Sequence, residues 1–212
     1  MASPDLAQMM RDAAPAISAV VYDAPDMSKA LDYVVSLCEQ KSPAVLLVDE
    51  PGTETGPVDE ESGRPTRAKR VLAAPDLPKK TFDAFTKQCE AKGWQLVRDN
   101  IRAFASGVDI GVNLVDHAIA DTATCIIQTT NEDVLLASAV CEISVIIVPT
   151  SGLLPDMRAA LPLLRDFMKK KTKAGGTYST FITGSSRTGD IEQVLTLGAH
   201  GPIELHIILL EG

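Results

Sequence analysis

Apolar residues first recur at helical spacing after Pro25-Asp26. Met27, Ala30, Leu31, Val34 and Cys38 fall on one face there, and Asp26 is placed to cap the start. The run Ala44–Asp49 (AVLLVD) is continuously apolar with a polar end, the pattern of a strand buried on both faces. Asp76 and Pro78 open a second helix that carries Phe82, Phe85 and Cys89 along one side, and Gly93 stands where that helix should stop. Trp94–Val97, Thr124–Thr129, Val145–Val148 and Thr177–Thr183 read as strands, with a short helix over Val134–Val140. The spacing from Leu153 to Lys171 predicts a helix that turns Leu154, Met157, Leu161, Leu164 and Met168 inward and is kinked or broken at Pro162. A last helix is expected near Asp190–Leu197, ended by Gly198, before a final strand over Ile203–Leu210. Strands alternating with helices imply an α/β fold, a three-layer α/β/α sandwich around a mainly parallel sheet. Ligands in such sheets usually sit beyond the carboxyl ends of the strands.

Between these elements, Glu50–Arg70 is rich in Gly, Pro, Thr and Glu and ends in Arg64, Arg67, Lys69 and Arg70. It reads as a long, exposed, mobile loop inside a single domain spanning residues 1–212, its basic end solvated and balanced by Glu60 and Glu61. A net charge of -8 and only 4% aromatic residues argue against a nucleic-acid binder, which needs a basic footprint or stacking platforms. No apolar run approaches the length that spans a bilayer, and MASPDLAQMM lacks the pattern of a secretory signal, so a cytoplasmic location is expected. Cys38, Cys89, Cys125 and Cys141 form no CxxC pair, so no cofactor held by cysteine ligation is expected and the four read as buried small hydrophobes.

Two stretches concentrate chemistry. In FITGSSRTGDIEQVLTLGAHGP, Gly184 permits a sharp bend, Ser185, Ser186 and Thr188 offer hydroxyls, and Arg187 can grip an anion with two parallel hydrogen bonds. Asp190 with Gln193 has capping-box spacing, so the same residues can also serve a helix start alone. The following Gly-His-Gly-Pro turn presents His200 and Gly201, and His206 lies in an apolar strand where a satisfied, partly buried imidazole is expected. In DHAIADTAT, Asp121 can act as a general base or a carboxylate nucleophile. Asp116, Thr122 and Thr124 can bind a ligand, and Asp116, His117 and Asp121 offer a partial metal-ligand set; caps and hydroxyl-bonded turns use the same residue types. There is no GxxxxGK[ST] loop and no GxSxG elbow.

The stretch SRTGDIEQVLTLGAHGPIELHIILL closely resembles the carboxyl-terminal signature of the lactate utilization domain family, and DHAIADTAT resembles an earlier segment of the same family in the right order and separation. The resemblance covers about Gly107 to Glu211. Where the family has a Gly between two threonines, this chain has Ala123, and a positive φ there would strain an alanine by about 1 kcal/mol. The resemblance implies a fold like that of the sugar-phosphate isomerases and coenzyme A transferases. It also implies a role in bacterial oxidation of L-lactate to pyruvate beside two iron–sulfur partner proteins, which would carry the metal. Within that role, the Gly184–Asp190 loop and the His200 turn form a pocket for a small anion or phosphate-bearing ligand, with Arg187 as its clamp. Two alternatives stay open: a free-standing enzyme on a sugar phosphate, a folate or a coenzyme A thioester, with Asp121 and His200 as its catalytic groups, and a binding module without chemistry of its own. All functional readings need the segments near Asp121 and Arg187 to line one cleft.

Overall fold

The structure is a computed structural model and describes residues 5–46, 53–169, 177–189, 195–197 and 201–211. Helix α1 (Leu6–Ala13) starts where the Asp5 carboxylate accepts from the Gln8 amide, and a 3-10 turn over Ala14–Ile17 leads into strand β1 (Ala19–Ala24). Helix α2 (Met27–Gln40) follows, capped as its sequence predicts by Asp26 accepting from the Lys29 N–H at 2.9 Å, with Ala30, Leu31, Val34 and Cys38 buried. Strands β2 (Thr55–Val58) and β3 (Pro65–Arg67) form an antiparallel hairpin, and β4 is Val71–Ala73. Helix α3 (Lys79–Glu90) and β5 (Gln95–Val97) come next, then β6 (Val108–Leu114), β7 (His117–Ile119) and β8 (Thr124–Thr129). Helix α4 (Glu132–Ala139) is capped by Asn131 and precedes the long strand β9 (Cys141–Pro149). After β10 (Leu153–Leu154) and α5 (Met157–Lys169), the chain closes with β11 (Tyr178–Ile182), β12 (Arg187–Gly189), β13 (Leu195–Leu197) and β14 (Glu204–Leu210).

The centre is a six-stranded sheet in the order β1-β14-β9-β6-β4-β5, with every pairing parallel. A parallel strand covered on both faces must be apolar on both, and β9 shows it: Ile143, Val145 and Ile147 join the core under α2 and α3, while Ile146 and Val148 join the opposite core. That opposite layer is mixed. It contains α1, α4 and a second, four-stranded sheet in the order β10-β7-β8-β11, in which β8 runs antiparallel to both β7 and β11. The predicted strands Thr124–Thr129 and Thr177–Thr183 thus belong to this second sheet and pair with each other, outside the parallel one.

Four expectations are corrected. Among Ala44–Leu46 only Val45 pairs, in an isolated bridge to Thr66, and the rest of the expected strand lies outside the described residues. The segment read as an exposed loop holds the β2–β3 hairpin, with Thr66 and Arg67 buried. The Arg67 guanidinium tolerates burial because its Nε donates to the Gly107 carbonyl at 2.7 Å and its Nη2 to the Ser106 hydroxyl at 3.0 Å, and Phe104 lies under it. Helix α5 starts at Met157, and its buried contact is Ala160 against Ile119 and Ile126, flanked by Leu154 and Leu164. Met157, Leu161 and Met168 are exposed, because the small sheet beneath offers too little apolar surface for the whole stripe. Leu195–Leu197, expected to be helical, is a strand paired antiparallel with Arg187–Gly189, while residues 190–194 lie outside the described residues.

Candidate functional site

Antiparallel pairing of β8 with β11 brings the two chemical stretches together at one edge. In the β8–β11 ladder Ile182 faces Cys125, so the residue after β11, Thr183, lands beside the residue that opens β8, Thr124. Their hydroxyls lie 2.8 Å apart, and Thr124 is 2.9 Å from the Thr122 hydroxyl, giving a three-hydroxyl chain across segments 59 residues apart. Immediately beyond Thr183 the backbone bends at Gly184 with φ +91°, and the Ser186 N–H donates to the Pro202 carbonyl at 2.8 Å. The Gly184–Ser186 loop therefore faces the Gly201-Pro202 turn, and the two enclose a cleft of about 270 Å³. Its other walls are Thr180, Phe181 and Ile182 of β11, the end of α4 at Ser138 and Ala139, and Ser144 and Leu205 near the starts of β9 and β14. The cleft thus opens at the amino-terminal end of the central strands, opposite to the end where ligands of parallel sheets usually lie.

Gly184 is fixed by two constraints. A Cβ there would lie 2.6 Å from the Ile17 carbonyl oxygen, and φ +91° is a conformation that side chains avoid. Gly184→Ala should therefore cost about 2 kcal/mol and shift the loop off the 3-10 turn. Thermal denaturation checks this, and a variant as stable as the parent would show that the bend is not required. Ala123 occupies a similar position at φ +49°. The expected left-handed geometry is present, and its strain of about 1–2 kcal/mol is partly offset by the fully buried methyl, worth about 0.8 kcal/mol.

The predicted residues divide as follows. Gly184, Ser185, Ser186 and Gly201 line the cleft, with Thr122 and Thr124 linked to its edge through Thr183. Asp116 is elsewhere, at the carboxyl end of β6, where the neighbouring His117 places Nδ1 3.2 Å from the Gly152 carbonyl. Asp121 is exposed on the β7–β8 turn, its N–H donating to the Pro155 carbonyl at 3.3 Å. Arg187 and Thr188 follow Ser186 directly on β12, whereas Asp190 and His200 lie outside the described residues. Sequence reasoning missed Thr180, Thr183, Ser138 and Ser144. The signal for Ser144 is a lone hydroxyl in the run Ile143–Val148, while Thr183 stands next to Gly184 in the chain and meets Thr124 through strand pairing.

His206 is buried and satisfied as expected, with Nδ1 2.9 Å from the Tyr33 hydroxyl and Nε2 2.9 Å from Glu204. Burial pushes the thiols of Cys38, Cys89, Cys125 and Cys141 up to about 12, so none is primed as a nucleophile. Among the described residues, no group of three or more His, Cys, Asp or Glu is arranged to hold a metal, and no helix is long and apolar enough to cross a membrane.

Comparison with known proteins agrees with this architecture. A lactate utilization protein C from Anoxybacillus flavithermus is 30% identical over 113 residues, 53% of this chain and 48% of that protein. A second, from Oceanobacillus iheyensis, is 22% identical over 152 residues, 68% of this chain and 64% of its own length. The chain thus spans about half the length of the first of these relatives and somewhat more of the second. A crystal structure of a DUF162 family protein from Deinococcus radiodurans superposes with a TM-score of 0.57 at 15% identity, covering 98% of this chain and 96% of that one, which establishes a shared fold. The LUD domain family model matches residues 7–210, so the chain, from the first helix to the last strand, belongs to the LUD domain family.

Proposed function

We propose that this protein is a subunit of a bacterial system that oxidises L-lactate to pyruvate in the cytoplasm, acting with two iron–sulfur proteins that carry the redox centres. Its own contribution is to bind a small anion or phosphate-bearing ligand at the Gly184–Ser186 and Gly201 cleft, with Arg187 as the clamp. The observation that carries this reading is the convergence of both family-like stretches on one cleft edge through the Thr122–Thr124–Thr183 hydroxyl chain. The relatives named for lactate utilization support the process. The absence of a metal-holding cluster among the described residues is compatible with metal carried by the partners.

Arg187 continues from Ser186 on β12, so its backbone is anchored next to the cleft by pairing with Leu197. A guanidinium is suited to a carboxylate or phosphate because it offers a planar fork of donors. The test is to co-express the chain with the two iron–sulfur proteins, isolate the assembly, and follow lactate-dependent dye reduction. The expected result is co-purification and activity that depends on this subunit. Arg187→Ala should lower lactate-dependent reduction by roughly ten- to a hundred-fold, the worth of one charged hydrogen-bonded contact, while leaving co-purification intact. Failure to associate, together with full activity without the subunit, overturns the proposal.

A further inference from the structure

The cleft has a floor that its amino-acid types do not require for folding. Ser144 lies on β9 between Ile143 and Val145, is 1% exposed, and its hydroxyl has no strong hydrogen-bond partner among the described residues. The nearby Cys141 thiol interacts with it but is a weak hydrogen-bonding group. A buried hydroxyl left unmet is costly, and alanine would fit the same strand position without that cost. We infer that Ser144 is a ligand-binding residue, and that the group it meets is a hydroxyl of a polyol-like carbon chain entering the cleft.

Three features of the walls decide the ligand class. None of the described residues lining this cleft is charged. Helix α4 ends on the rim at Ala139, so the negative end of its dipole and its last carbonyls face this side, which disfavours a carboxylate or phosphate deep in the cleft. A ligand hydroxyl satisfies both kinds of wall at once, because it donates to a carbonyl and accepts from a serine or threonine. Phe181, Pro202 and Leu205 supply apolar surface for the carbon chain between hydroxyls. Size points the same way. At roughly 30 Å³ per water-sized group the cleft of about 270 Å³ holds about nine such groups, more than the six heavy atoms of lactate. The inference deepens the proposed function and rests on its reading of this cleft as a ligand site. It places any charged end of the ligand outward, toward Arg187, and the hydroxylated chain inward.

The test is calorimetric titration of the whole chain with D-erythronate, butyrate, erythritol, L-lactate and inorganic phosphate. Erythronate and butyrate share chain length and charge and differ in hydroxyls, so their comparison on the unaltered protein needs no variant. Erythronate should bind at least ten-fold more tightly than butyrate, with erythritol detectable. Ser144→Ala should weaken erythronate about ten-fold, leave butyrate unchanged, and melt at the same temperature or about 2–4 °C higher, because an unmet buried hydroxyl has been removed. Equal binding of erythronate and butyrate, or erythronate binding unaffected by Ser144→Ala, overturns the assignment, as does no binding of any hydroxylated chain. If phosphate or lactate binds in an Arg187-dependent way while the polyols do not discriminate, the anion reading stands and the Ser144 reading falls. Polyol binding that ignores Arg187→Ala gives the reverse result.

Discussion

Asp109→Ala should cost about 3–5 kcal/mol of folding stability, the range for removing one partner from a buried ion pair. Asp109 is fully buried at the start of β6. One carboxylate oxygen accepts from the Lys41 ammonium at 2.8 Å and from the Ala44 N–H at 2.8 Å, and the other accepts from the Val71 N–H at 2.7 Å. Lys41 also reaches Glu142 at 2.9 Å, and Glu142 accepts from the Val45 N–H at 3.0 Å. Asp109 therefore fastens the segment after α2 and the start of β4 to β6, and Lys41 extends the network to the start of β9 through Glu142. Alanine would leave two backbone donors and part of an ammonium charge unmet in a largely buried site, and each such group is expensive. Asp109→Asn keeps the shape but turns an amide NH₂ toward donors, so it should recover only part of the loss. Urea denaturation at neutral pH measures both variants. For a chain of this size the alanine variant should melt roughly 6–20 °C lower. A loss below about 1 kcal/mol would mean that the network is not holding these segments together.

The same network shows why part of the fold was hidden in the sequence. Helix α2 was legible because its apolar spacing and its cap at Asp26 are both local signals. Strand β6 was not, because VDIGVNL places Asp109 and Asn113 at buried positions and so breaks the apolar run that marks a doubly covered strand. Both are admitted to the core by hydrogen bonds to distant partners, Asn113 through its amide donating to the Val134 carbonyl at 2.9 Å. Arg67 misled in the same way: a guanidinium in a polar stretch reads as solvated until the Gly107 carbonyl and Ser106 are placed beside it. The site was legible where its residues are neighbours in sequence, at Gly184, Ser185 and Ser186. It was not legible where pairing assembles it, since the Thr124–Thr183 contact follows from antiparallel register alone. Asp116 illustrates the converse. It is eight residues before Thr124 in the chain, yet it stands just past the carboxyl end of β6, and the short β7 strand then carries the chain on toward Thr124.

That carboxyl end holds the second large effect, at Asp76 after β4. One of its oxygens accepts from the Leu114 N–H at 3.0 Å, and the other is buried without a partner among the described residues. Burial pushes the Asp76 carboxyl up to about 6, against the opposing pull of the Leu114 amide, its own backbone N–H and the Arg98 charge. An unfolded aspartate titrates near 3.9, so between roughly pH 4 and pH 6 the folded chain retains a proton that the unfolded chain has released. Unfolding therefore releases a proton in this window, and stability falls as pH rises through it. Two units of displacement correspond to about 3 kcal/mol, fully absent below pH 4 and fully developed above about pH 6. Asp76→Asn removes the titration while its amide oxygen still accepts from Leu114. Any constant cost of the new NH₂ group shifts the curve of the variant without tilting it. The stability of Asp76→Asn minus that of the parent should therefore rise by about 3 kcal/mol from pH 4 to pH 7, measured by urea denaturation at each pH. A difference that stays flat across that range would show that Asp76 ionises in the folded chain as it does in water, and that the oxygen without a protein partner is solvated.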